Sequence, residues 1–322
     1  MFEWLQKFTS TGMTAFITHP ECYGHNMGEG HPESPVRLAA IRAALEKAHL
    51  LDRLQEIAAD EVSDVQLARV HPPRYVQYLE SVAPDVGTFR VDTDTAMNSG
   101  TLLAARYAAG AVVKAVDIVL KRKAPNAFCA VRPPGHHAES EKAMGFCFFN
   151  NIAVGAMHAI AEHHIKRILI VDFDVHHGNG TDEIFKDDPR VMLLSSFQHP
   201  FYPYCGDKPR GGNPNIINTP LPENTDGTTY RKMFEQQWLP AIAKFAPELI
   251  MVSAGFDAHK EDEMGGFLLN DEDFAWIGGH LLRQAQLYAQ GRIISVLEGG
   301  YHPESLARCV AKHIKILTTA TV

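Results

Sequence analysis

Asp172, Asp174, His176 and His177 fall within six consecutive residues, and Gly178 and Asn179 follow them directly. They close the apolar run 168–171, I-L-I-V, which leaves no polar face and so reads as a strand buried on both sides of a parallel sheet. Asp174 and His176 are two apart, so in extended chain they project to the same side. A hard carboxylate and an imidazole converging there are half of a divalent metal site. A lone D-x-H is more often structural. Four polar groups at the end of a buried strand favour metal or catalytic use, because buried charge is costly unless paired or metal-bound.

Three other segments carry residues of the same kind. In R-P-P-G-H-H, residues 132–137, Pro133, Pro134 and Gly135 predict a tight, irregular loop after a strand. On such a loop His136 and His137 can both face a cavity; the alternative is two surface histidines in a turn. In S-A-G-F-D, residues 253–257, Asp257 either supplies a third ligand or caps the following turn. In L-E-G-G-Y, residues 297–301, the glycine pair allows close approach to a ligand, and Tyr301 could donate to a developing oxyanion. The plain reading there is a turn followed by a packed tyrosine.

All four segments follow β-type runs, which recur at residues 15–17, 127–131, 168–171, 191–194, 249–252 and 293–297. Helical patterns occupy residues 36–50, 102–120, 150–164, 230–245, 271–289 and 305–317. The alternation predicts an α/β fold with a parallel sheet and right-handed crossovers. One sheet that gathers the four segments at the carboxyl ends of its strands, where such sheets bind ligands, predicts a single domain. No repeat, low-complexity tract or polar linker argues otherwise.

Composition narrows the function. A net charge of −8 argues against non-specific nucleic-acid binding, which needs a basic face. No stretch approaches the roughly 18 apolar residues of a membrane span. Residues 1–12 lack the pattern of a signal peptide and read as an N-terminal extension. Five scattered cysteines without a C-x-x-C pair predict a reduced, cytoplasmic protein. There is no G-x-S-x-G elbow, no phosphate loop and no H-E-x-x-H.

Taken together, R-P-P-G-H-H, G-F-C-F-F-N-N (145–151), D-F-D-V-H-H-G-N-G-T, S-A-G-F-D and E-G-G-Y closely resemble the histone deacetylase family. The resemblance begins at H-P-E-S-P-V-R-L (31–38) and covers nearly the whole chain. The H-H-G-N form, with Asn179, resembles class II enzymes and bacterial histone deacetylase-like amidohydrolases. The resemblance implies the arginase–deacetylase α/β fold: a catalytic domain over residues 13–322 whose central parallel sheet has about eight strands flanked by helices. It implies a zinc site of Asp174, His176 and Asp257, a ligand set that also suits ferrous iron. His136, His137 and Tyr301 would be catalytic, with Asp172 behind the first histidine and Asn179 behind the second. Gly145, Phe146 and Tyr202 would line the acyl-lysine tunnel, with Met264 near its rim. A structural potassium ion would use Asp172, Asp174, His176, Ser195 and Ser196.

The implied activity is hydrolysis of an acetyl or other acyl amide on the ε-amine of lysine or a lysine-like amine. Its partners would be acyl-lysine proteins or peptides, with no direct nucleic-acid or membrane contact and with a homo-oligomer allowed. Acetylated polyamines are the alternative substrates, and non-acidic Met264 disfavours the eukaryotic polyamine mode. A catalytically weak acyl-lysine binding module is disfavoured by the presence of Tyr301. An arginase-like hydrolase lacks an evident second metal centre. Asp172 should bias His136 towards its charged form, because a carboxylate favours an imidazolium more than an amide does, and His137, backed by Asn179, should be the neutral base. Two departures stand out: Phe197 where histidine is common, and Tyr204–Cys205 where Gly-Thr is expected. Both are expected in the loop that shapes the mouth.

Overall fold

The chain is described by a computed structural model over residues 12–321, with side-chain surroundings to Thr319. The expected N-terminal extension, residues 1–12, lies outside the described residues apart from Gly12. The strands in chain order are β1 (Thr14–Thr18), β2 (Leu54–Ala58), β3 (Phe89–Arg90), β4 (Ala96–Met97) and β5 (Asn126–Cys129). They continue with β6 (Ile168–Asp172), β7 (Val191–Gln198), β8 (Ile216–Leu221), β9 (Leu249–Ala254) and β10 (Ile293–Leu297).

Every residue of β5, β6, β7, β9 and β10 is buried. Successive strand residues point to opposite faces, so these strands are covered on both sides. Eight strands form one sheet in the order β2-β1-β5-β10-β9-β6-β7-β8, with every pairing parallel. The helices Thr101–Leu120 and Asn151–His163 pack together against it, and Val36–Lys47, Asp271–Tyr288 and Pro303–Leu317 form a second packed group. The result is a single α/β domain of the predicted class. A short antiparallel ribbon, β3–β4, stands apart from the sheet.

All six predicted apolar runs are strands. The two edges, β2 and β8, were not predicted. β2 (L-Q-E-I-A) is largely exposed and β8 (I-I-N-T-P-L) contains Pro220, so neither presents a continuous apolar run. An edge strand can keep one side in water and tolerate proline, and the burial signal fades accordingly. No described helix is long and apolar enough to cross a membrane, and all five cysteines are free thiols.

Chain order and sheet order part company between β5 and β6. The chain leaves β5 and enters β6 three places along, and β10 and β9 later fill the gap. Such a switch in strand order opens a crevice at the carboxyl edge. The ends of β5, β6, β9 and β10 all deliver their loops there.

Candidate active site

β6 stops at Asp172. Asp174 and His176 lie beyond it, on bends rather than in extended chain, so a tight turn brings them together and not the strand alternation expected from sequence. The carboxylates stitch that turn. Asp174 N–H donates to Asp172 Oδ1 at 3.2 Å, and His176 N–H donates to Asp174 Oδ1 at 2.9 Å. Val175 N–H donates to Asp257 Oδ1 at 2.9 Å, fastening the end of β6 to the loop after β9.

Asp174, His176 and Asp257 are all buried, and each places one ligand atom within 4.8 Å of the others. His176 Nδ1 lies 3.0 Å from Asp174 Oδ1 and 3.2 Å from Asp257 Oδ2. Asp257 Oδ2 nonetheless accepts no well-aligned hydrogen bond. Burial and the neighbouring Asp174 push Asp257 up to about 7. Burial opposes a charged His176, but its bond to Asp174 and the adjacent Asp257 carboxylate outweigh that and push it up to about 10. The backbone leaves room only for these groups: a Cβ on Gly299 would fall 2.0 Å from Asp257 Oδ2 and 2.5 Å from Asp174 Oδ2. Two buried carboxylates and one imidazole form a donor set that suits a divalent cation and leaves one coordination position open. The residues fit such an ion.

His136 and His137 lie on the loop after β5, their ring centroids 4.1 Å apart. His136 Nδ1 donates to Asp172 Oδ2 at 2.9 Å, and its Nε2 is 3.7 Å from Asp174 Oδ2. His137 Nδ1 donates to Asn179 Oδ1 at 2.8 Å. The Asn179 amide cannot be reversed, because its Nδ2 donates to Glu139 Oε1 at 2.9 Å and to the His137 carbonyl at 3.3 Å. His137 Nε2 is therefore left with its lone pair. Burial disfavours charge on both rings. For His136, Asp174 and Asp172 outweigh burial and hold it well above the ordinary imidazole value. For His137, burial is reinforced by His136 and His176, and it falls well below.

Gly145 has φ +55°, and a Cβ there would meet His137 Cδ2 at 2.3 Å, so only glycine lets this loop close on the histidine. Tyr202 stands edge-on to His137, centroids 5.3 Å apart. Phe146 stands edge-on to Tyr301 at 5.9 Å. Burial holds the Tyr301 hydroxyl well above its ordinary value, and Asp257 and Asp174 add to this against an opposing pull from Arg37. Met264 is half-buried on the loop after β9, its N–H donating to Asp262 Oδ1 at 3.0 Å. Ser195 lies opposite Asp172 in register, and its buried Oγ has no hydrogen-bond partner. Ser196 Oγ instead bonds the Tyr230 hydroxyl at 2.7 Å.

Several residues around the site escaped the sequence reading. Glu298 Oε2 accepts from Gly135 N–H (2.7 Å) and His136 N–H (3.1 Å), tying the histidine loop to the end of β10. Its place in E-G-G-Y was visible; its role was not. Asp262 Oδ2 accepts the Tyr301 and His302 N–H groups at 2.5 and 3.0 Å. Arg37 lies over the Tyr301 ring at 4.9 Å and donates to the Gly300 carbonyl at 2.7 Å. Nothing local in the sequence marks either contact. Phe197 corrects an expectation: it belongs to β7 and not to the mouth loop, and its ring packs 4.5 Å from that of His177. Tyr204 and Cys205 do lie on the loop that follows.

The histone deacetylase domain model matches residues 31–317. The chain is 36% identical over 288 residues to the histone deacetylase-like amidohydrolase of Pseudomonas aeruginosa, covering 87% of this chain and 75% of that one. It is 38% identical over 323 residues to the human polyamine deacetylase HDAC10, covering 94% of this chain and 48% of that longer protein. The crystal structure of the HDA15 HD domain superposes with a TM-score of 0.90 at 32% identity, over 96% of this chain and 89% of that one.

Proposed function

The chain belongs to the histone deacetylase family and is a hydrolytic deacetylase, and from that premise we propose that it is a zinc enzyme removing acetyl groups from the ε-amine of lysine. The observation that carries the reading is the convergence of Asp174, His176 and Asp257 beside two histidines with different Nδ1 partners. Zinc held by these three residues would polarise an amide carbonyl and lower the pKa of water.

The chain's own groups then divide the remaining work. His137 Nε2, with its lone pair fixed by Asn179, takes the proton of the attacking water. His136, held towards its charged form by Asp174 and Asp172, supplies positive charge beside the reacting centre, and a histidine proton goes to the departing amine. Tyr301 keeps its proton and donates to the oxyanion as it develops. Phe146 and Tyr202 receive the apolar stem of the acylated side chain. Asp172 and Ser195, with the main chain at Asp174 and His176 and with Ser196 nearby, would hold a structural potassium ion; the unpartnered Ser195 Oγ supports this. The catalytic domain is assigned to residues 13–322.

Acetylated polyamines are a second reading, favoured by the similarity to the polyamine deacetylase HDAC10. Metal-stripped protein reconstituted with zinc or ferrous iron tests both against acetyl-lysine peptides, longer acyl-lysines and acetylated polyamines. The expected outcome is fastest turnover of the acetyl-lysine peptide with zinc and none after chelation. Preference for the polyamine moves the substrate assignment, and no hydrolysis of any substrate rejects the reading.

A further inference from the structure

Tyr301 sits on a turn that its own sequence does little to hold. Gly299 and Gly300 precede it, and Gly300 has φ +115°, a conformation that glycine adopts readily and other residues do not. A Cβ on Gly300 would fall 2.8 Å from Leu306 Cδ1, so a stiffer residue does not fit there. The phenol ring meets Phe146 edge-on and lies under Arg37. Those contacts confine the ring, while the direction in which the side chain leaves is set by the backbone.

Asp262, buried on the loop after β9, sets that backbone. Its Oδ2 accepts the Tyr301 N–H at 2.5 Å and the His302 N–H at 3.0 Å. The two groups flank the Tyr301 Cα. Aimed at one oxygen, as in a backbone nest, they fix φ and ψ of Tyr301 together, and with them its Cα–Cβ direction. From the other side Arg37 Nε donates to the Gly300 carbonyl at 2.7 Å, so the Gly300–Tyr301 peptide is held at both its C=O and its N–H. The second oxygen, Oδ1, accepts the Met264 N–H at 3.0 Å and ties the turn to the loop that carries Met264.

Among the described residues no side-chain cation pairs with this carboxylate; its three donors are main-chain N–H groups. Its charge also adds to the burial and to the Asp174 repulsion that push Asp257 up. A buried acid without a cation is costly. What it offers at this position is two acceptor oxygens on one short side chain, where an amide has one and an apolar side chain none.

We propose that Asp262 is a positioning residue for hydrolysis, holding the Tyr301 turn in the conformation that presents the phenol to the developing oxyanion. The role rests on the oxyanion function proposed for Tyr301 above and is exerted through that side chain.

The test compares Asp262→Ala and Asp262→Asn, each with Tyr301 intact and with Tyr301→Phe, in zinc-loaded full chain. Steady-state turnover of an acetyl-lysine peptide and amide hydrogen exchange are measured on all of them. Asp262→Ala should lower kcat by ~10–100-fold, the range for residues that support a site from behind, with KM little changed. Asp262→Asn should recover most of that loss, because its one oxygen can serve Tyr301 and His302 while its NH₂ is left facing the Met264 N–H. In the Tyr301→Phe background Asp262→Ala should cost less than ~2-fold more, since the group it positions is already gone. The Tyr301 and His302 amides should exchange at least several-fold faster in Asp262→Ala, with β6 as protected as in the wild type. If Asp262→Ala does not fold, Asp262→Asn carries the same cycle, and its smaller loss has to vanish with Tyr301→Phe. Unchanged exchange at Tyr301 and His302 overturns the role, and so does a kcat loss that persists in the Tyr301→Phe background. Exchange is read without turnover. If no amide is hydrolysed, or if Tyr301→Phe leaves kcat unchanged, the proposed function fails while the hold of Asp262 on the turn is still decided.

Discussion

His136 and His137 are neighbours in sequence and stand ring to ring, yet each Nδ1 faces different chemistry. Asp172 accepts from one and Asn179 from the other, at nearly equal distances of 2.9 and 2.8 Å. The two contacts orient the rings equally well, so geometry alone does not separate them. Charge does. A carboxylate favours the imidazolium that faces it, whereas an amide oxygen fixes the tautomer with much less bias. Asp174 adds to Asp172 in holding His136 towards the imidazolium, burial and the neighbouring rings hold His137 towards the neutral form, and only a neutral ring can accept a proton.

The largest effects should come from removing the groups proposed to act on the reacting atoms. His137→Ala is expected to lower kcat on an acetyl-lysine peptide by ~10²–10⁴-fold, the range of general acid–base catalysis. His136→Ala should lose clearly less in the same steady-state assay with zinc-loaded protein. An equal or greater loss for His136→Ala would reverse the assignment of the two rings. Tyr301→Phe should cost ~10²–10³-fold in kcat with little change in KM, as expected when one oxyanion donor is removed. A loss confined to KM would show that the hydroxyl serves ground-state binding instead.

The two histidines also show what a sequence makes legible. Their partners and the candidate metal ligands lie just after apolar runs, and a buried parallel strand announces its own end by turning polar. That placed Asp172, Asp174, His176, Asp257 and Tyr301 at one edge, and the resemblance to a known family supplied their expected roles. What stayed hidden acts across the sheet or through the backbone. Glu298 reaches the N–H groups of Gly135 and His136 from another strand, and Asp262 holds the N–H of Tyr301. Arg37 reaches the Gly300 carbonyl across 263 residues of chain. Contacts of that sort leave no periodicity or spacing behind. The edge strands β2 and β8 were hidden for a related reason, since a strand half in water needs no continuous apolar run.

A smaller effect separates the two partners themselves. Asp172→Asn keeps a hydrogen-bond acceptor for His136 but removes the charge, and residues supporting a site from behind typically contribute ~10–100-fold. The loss in kcat should fall in that range and should remain when potassium is raised. Full recovery at high potassium would assign the carboxylate to the ion rather than to His136.

Asn179→Asp makes the two halves of the pair alike and gives the subtlest change. A carboxylate facing His137 Nδ1 raises the pKa of that ring, by ~1 unit or more when the charge is close. The base is competent only when neutral, so a raised pKa leaves less of it available in acid. The acidic limb of the kcat/KM profile should therefore move to higher pH, while the plateau above it stays within a few-fold of the wild type. Glu139 complicates the substitution, since its Oε1 now accepts from the Asn179 amide and would face a second carboxylate. Arg210, 2.8 Å from that oxygen, offsets part of the repulsion. Glu139→Gln in the same background removes the rest, so the single and double variants together separate a shift at His137 from simple crowding of two acids. An acidic limb that stays in place in both variants would mean that His137 is not the base titrating in that limb.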